Sequence, residues 1–250
     1  MKIVNFLSCS IGLLLCGAVF SSCLDDDNDW ETFYPTLATV NSDSDPLSLV
    51  SDSYGTLIPK NPGYIKTMNA DSTGQRVLAG VQFLEEDAEN KRENSKQVQI
   101  VNLTKILTKK ANDLRVEGTE DVFGNDPIQI VAATISNYHL NIQYTLWGSN
   151  SNIAHRISLV LDENSIVDEE GLLRVEFRHN AEGDRQEQPF WGMVSYTLES
   201  IPEYNSSEVK GVRIVYNSGA NLKAEQILKK GEKNDAIART AQTYTLCNNR

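Results

Sequence analysis

Cys23 stands in the most specific chemical setting of this 250-residue chain. Met1-Lys2 gives a positive start, Ile11 to Leu15 with Ala18-Val19-Phe20 an apolar run, and Ser21-Ser22 two small residues before the thiol. The run is shorter than the about 20 apolar residues a spanning helix needs, and Asp25-Asp26-Asp27-Asn28-Asp29 follows at once. Residues 1–22 therefore read as a lipoprotein signal peptide. Cys23 reads as the acceptor of a lipid, palmitate or a related acyl chain, that holds the chain on a bacterial envelope membrane. The alternative is an ordinary secretory signal cut elsewhere, with Cys23 incidental. Cys9 and Cys16 fall in the discarded segment, so Cys247 is the one remaining thiol and no internal disulfide is expected.

The histidines are the next candidates. His155 and His179 share the apolar parity of their strands, whereas His139 does not. A converging His155/His179 pair joined by carboxylates would suit a metal-dependent hydrolase or acid–base chemistry. The plainer reading is a pair of buried, hydrogen-bonded imidazoles. The close two-His spacing of a zinc helix, cysteine pairs, a nucleophile elbow and a Gly-rich phosphate loop are all absent from the sequence. Asp162-Glu163-Asn164 and Asp168-Glu169-Glu170 offer oxygens that Ca2+ favours. Ile166 and Val167 stand where a calcium loop needs a ligand and a glycine, so a solvated turn is the better reading. No cofactor and no enzymatic activity are expected. Trp147 and Trp191 lie opposite the apolar stripes of their strands, where indoles could stack on a sugar ring or meet a protein. Packing at an edge or between domains is the other reading.

Charge narrows the partners. Lys2 is the only charged residue before Cys23, so the mature chain carries −12 where the whole chain carries −11. Nucleic-acid binding rests on a basic footprint, and this chain lacks one. Docking on anionic headgroups is disfavoured for the same reason. The expected partners are a membrane, through the lipid on Cys23, and a protein or glycan of unassigned identity.

These residues must be positioned by strands. Residues 23–32 read as an acidic tether that repels itself and stays extended. From residue 33 short apolar runs alternate with turn residues: Tyr34 to Val40, Leu47 to Val50, Thr56 to Ile58, Arg76 to Leu84 and Val98 to Leu103, with a charged tip from Glu85 to Lys96. Five short strands in about 80 residues suit a small OB-like barrel, placed at 33–115. From 116 the period-two alternation is cleaner, as in Leu140, Ile142, Tyr144 and Leu146 or Leu173, Val175 and Phe177. It predicts an antiparallel β-sandwich over 116–250. After residue 217 the pattern weakens; Leu222 to Lys230 is expected as a short amphipathic helix and Thr240 to Leu246 as a last edge strand. The fold class is all-β, a barrel followed by a sandwich.

The chain resembles the NigD-like lipoproteins of Bacteroidota. The resemblance is carried by Ser22-Cys23-Leu24-Asp25-Asp26-Asp27, by Gly74-Gln75-Arg76-Val77-Leu78 and by Lys105-Ile106-Leu107-Thr108-Lys109. It continues in Tyr138-His139-Leu140-Asn141, His155-Arg156-Ile157-Ser158-Leu159-Val160 and Arg178-His179-Asn180-Ala181-Glu182-Gly183-Asp184. It implies an N-terminal OB domain and a C-terminal β-sandwich, on an outer membrane and facing outward, with no enzymatic activity to carry over. The acidic run after Cys23 resembles the export tag of Bacteroidota surface lipoproteins, and Asp71-Ser72-Thr73 resembles their O-glycosylation acceptor.

Overall fold

The computed structural model describes residues 33–84, 95–117, 121–136, 138–220 and 222–232. The signal peptide, Cys23 and its tether, most of the charged tip, Cys247 and the expected strand Thr240–Leu246 lie outside the described residues. In chain order, β1 (Tyr34–Asn41), β2 (Ser48–Ser51), β3 (Gly55–Pro59), α1 (Gly63–Thr67), β4 (Arg76–Phe83) and β5 (Ser95–Lys105) build a closed barrel with strand order β1-β2-β3-β5-β4. Alternation decides which side chains fill it. Val77, Ala79 and Val81 of β4 point inward with Ala38, Val40, Leu57 and Ile100, while Leu37 and Leu78 point out. The helix α1 lies between β3 and β4 in the chain and adds Ile65 to the barrel core. Asp71-Ser72-Thr73 is an exposed turn before β4, closed by Gly74 at φ +86°.

The second part comprises β6 (Leu107–Lys110), β7 (Asn112–Asp113), α2 (Leu114–Glu117), β8 (Gln129–Ile135), β9 (His139–Gly148), β10 (Arg156–Leu161), β11 (Leu172–Asn180), β12 (Gln188–Thr197), β13 (Gly211–Asn217) and β14 (Lys223–Lys229). Two sheets, β14-β13-β11-β10-β7 and β6-β12-β9-β8, face each other. Leu140, Ile142 and Tyr144 of one meet Leu159, Leu173, Val175, Phe177 and Ile214 of the other in one large core.

Three expectations are corrected. The sandwich begins before residue 116, because β6 pairs with β12 and β7 with β10; those short polar strands look like the end of the barrel when only the sequence is read. The sandwich is mixed, with β6, β7 and β13 running parallel to β12, β10 and β11. The chain leaves β11, crosses to the other sheet as β12, and returns as β13 beside β11 in the same direction. Residues 223–229 form a strand, not a helix, fully registered on β13. Its polar faces fit an edge strand, whose outer side meets water.

Candidate functional site

His155 and His179 do converge. β10 and β11 place them side by side with ring centroids 5.0 Å apart and nearly parallel. His179 Nδ1 lies 2.9 Å from the Pro127 carbonyl oxygen and must donate to it. His179 Nε2 lies 2.9 Å from His155 Nδ1, and His155 Nε2 lies 3.2 Å from Asp184 Oδ2. Every ring nitrogen is therefore occupied within the protein. Three hydrogen bonds strung between two acceptors need three N–H protons, and two neutral imidazoles carry two.

Asp184, its side chain 2 % exposed, is held well below the usual carboxylate range. The Ser149 hydroxyl is the largest cause, with the Ser149 and Asn150 amides and His155 adding to it against the cost of burial. Ser149 Oγ donates to Asp184 Oδ1 at 2.5 Å and the Ser149 amide to Oδ2 at 2.8 Å. Burial pushes His179 below the ordinary histidine value. The whole forms a clasp tying the end of β9, the start of β10, the end of β11 and the approach to β8. Among the described residues no group of three or more His, Cys, Asp or Glu is disposed to hold a metal. A metal would have to break the His155–His179 hydrogen bond before using both rings.

Trp147 and Trp191 lie on adjacent strands of one sheet. Trp147 is opposite Pro189 and Trp191 opposite Thr145, which makes the indoles diagonal neighbours on the outer face. Both are half-buried. Trp191 packs against Leu37, Leu78, Ile106 and Met193, the apolar seam between barrel and sandwich. It thus occupies the between-domain position that was one of its two sequence readings, and Trp147 lies further out along β9.

The same face carries a polar junction that was not singled out as a site in the sequence. Arg76, fully buried, pairs with both carboxylate oxygens of Asp52 at 2.6 and 2.9 Å. It also donates to Thr39 Oγ1 at 3.1 Å and, across the seam, to Asn141 Oδ1 at 3.0 Å. Asn141 also receives the Ser195 hydroxyl at 2.7 Å. His139, two residues along β9, is pushed down to about 4 by burial and by the Arg76 charge. The Asp162 and Asp168 carboxylates, weighed above as calcium ligands, are taken up by Arg174 and Arg213 at 3.1 Å each.

Residues 110–229 match the family model of the NigD-like C-terminal beta sandwich domain. Solved structures share the fold at low identity. A protein of unknown function, DUF1344, from Bacteroides vulgatus is 22% identical with a TM-score of 0.65, covering 82% of this chain and 93% of its own. A NigD-like immunity protein from Bacteroides caccae is 16% identical with a TM-score of 0.54, covering 79% and 94%. A candidate lipoprotein from Bacteroides fragilis is 12% identical with a TM-score of 0.57, covering 81% and 100%. No curated protein matches the chain.

Proposed function

We propose that this chain, whose residues 110–229 match the NigD-like C-terminal beta sandwich domain, is a non-enzymatic binding or accessory module of that family, lipid-anchored through Cys23 at the outer membrane and facing outward. The observation that carries the non-enzymatic part is the His155–His179–Asp184 clasp. Groups that could do acid–base work spend all their bonding on holding four chain segments together. The lipoprotein name of the Bacteroides fragilis structure supports envelope association, and the immunity-protein name of the Bacteroides caccae structure fits an accessory role. Fractionation of cells tests the anchor. The natural protein is expected in outer-membrane fractions and the Cys23→Ser variant in soluble ones; equal partition of the two removes the lipid from Cys23. Turnover of any substrate by purified protein, lost in His155→Gln, would end the non-enzymatic reading.

A glycan-binding role is the second reading, favoured by the diagonal placement of Trp147 and Trp191 on one sheet face. Trp147 is the discriminating residue, because Trp191 also serves the seam. On a glycan array the parent protein should bind and Trp147→Ala should lose it; a parent that binds nothing removes this reading.

A further inference from the structure

The barrel has two unlike ends. At one, where β1 finishes and β4 starts, α1 inserts Ile65 beneath the strands. At the other, the start of β1, the β2–β3 turn, the end of β4 and the start of β5 come together. There Tyr34, Tyr54 and Phe83 form a three-ring cluster, with centroids 5.2 Å apart for Tyr34–Phe83 and for Tyr54–Phe83. The Lys96 ammonium stands over it, 5.4 Å from the Phe83 ring and 5.9 Å from Tyr54. Tyr34 is 43% and Leu84 37% exposed. The sandwich packs on the barrel wall at Leu37 and Leu78 and meets Asp52, at the start of the β2–β3 turn, through Asn141.

We propose that this aromatic end is a membrane-contact surface that rests in the headgroup layer of the bilayer to which Cys23 is anchored. The proposal rests on the anchor reading above. Its ground is where the chain enters the barrel: Tyr34 begins β1 eleven residues after Cys23, a reach of at most about 40 Å. A tether that short keeps the barrel at high effective concentration over the lipid, so a weak contact suffices to orient it. Tyrosine rings with a lysine beside them are the side chains that favour the membrane–water boundary, apolar body inward and polar tip in water. Charge argues for net-neutral headgroups, since residues 85–94, whose flanks lie at this same end, hold five acidic and two basic side chains.

The test uses the mature chain carrying Cys247→Ser, coupled through the Cys23 thiol to a maleimide phospholipid in phosphatidylcholine vesicles. Chemical coupling makes the result independent of whether cells acylate Cys23, which the fractionation above decides separately. Amide hydrogen exchange is compared with the same protein coupled to a soluble maleimide. Residues 33–36, 53–55 and 82–84 should exchange about tenfold more slowly on vesicles, while 162–170 should not change. Tyr34→Glu should erase the protection at an unchanged Tm. Equal exchange on and off vesicles overturns the proposal. So does protection centred elsewhere, or protection found only with anionic lipid and lost in salt.

Discussion

At the scale of single residues, protonation has been fixed by burial, and the sign of its effect on stability follows. His139 is held down at about 4, whereas an unfolded histidine takes its proton near 6.5. Between those values the unfolded chain binds a proton that the folded chain refuses. Stability is therefore full above about pH 6.5 and falls as the pH drops toward 4, by up to about 3 kcal/mol from this residue. His179, lowered by the same desolvation, loses stability in the same direction. Asp184 acts at lower pH, because its depressed carboxyl stabilises the fold until acid begins to protonate it. Urea unfolding between pH 7 and 4 should show His139→Gln with a flatter acid limb than the parent; parallel limbs would contradict the assignment. Asp184→Ala removes the acceptor of the Ser149 hydroxyl, three loop amides and His155 at once. It should cost about 2–4 kcal/mol at pH 7, with the loss read as a lowered urea midpoint.

At the scale of elements, glycine marks where backbones approach too closely for a side chain. A Cβ on Gly211 would stand 2.1 Å from the Leu228 carbonyl oxygen, inside the β13–β14 pairing. Gly211→Ala should peel β14 away and cost about 2 kcal/mol or more; faster amide exchange confined to 223–229 would show it. That strand was illegible in the sequence for a related reason. Its pairing rests on backbone bonds to β13, and its exposed Lys223, Glu225 and Lys229 hide the period of two. Strands with one buried face were readable because burial writes the alternation into the side chains, as in Leu173, Val175 and Phe177. The short strands β6 and β7 bury little and carried no such mark. The parity that brought His155 and His179 together was equally legible. Asp184 was not, since a loop carboxylate acquires its partners only from the way β9 and β11 end beside each other.

At the scale of the whole molecule, the question is what makes barrel and sandwich one compact unit. An apolar patch of Leu37, Leu78, Ile106 and Met193 supplies area, but such contacts tolerate sliding. Arg76 does not: its guanidinium fork is matched to Asp52 on the barrel and to Asn141 on the sandwich in one geometry. Its Nε, buried and without a partner, is a cost the junction carries. Breaking a buried pair from one side strands the other charge. Arg76→Ala should therefore lose about 3 kcal/mol, and Asn141→Ala about 1–2 kcal/mol, since it frees one arginine bond and the Ser195 hydroxyl. Because both changes act on the same hydrogen bond, the double variant should lose less than the two losses added, by about 1 kcal/mol. Arg76→Met separates charge from packing, keeping the apolar stem against the seam. If the junction chiefly fixes the relative position of the two parts, Arg76→Met should keep most of the stability. Its barrel and sandwich amides should then open at different denaturant concentrations under hydrogen exchange. Opening that stays concerted in Arg76→Met would place the coupling in the apolar patch instead.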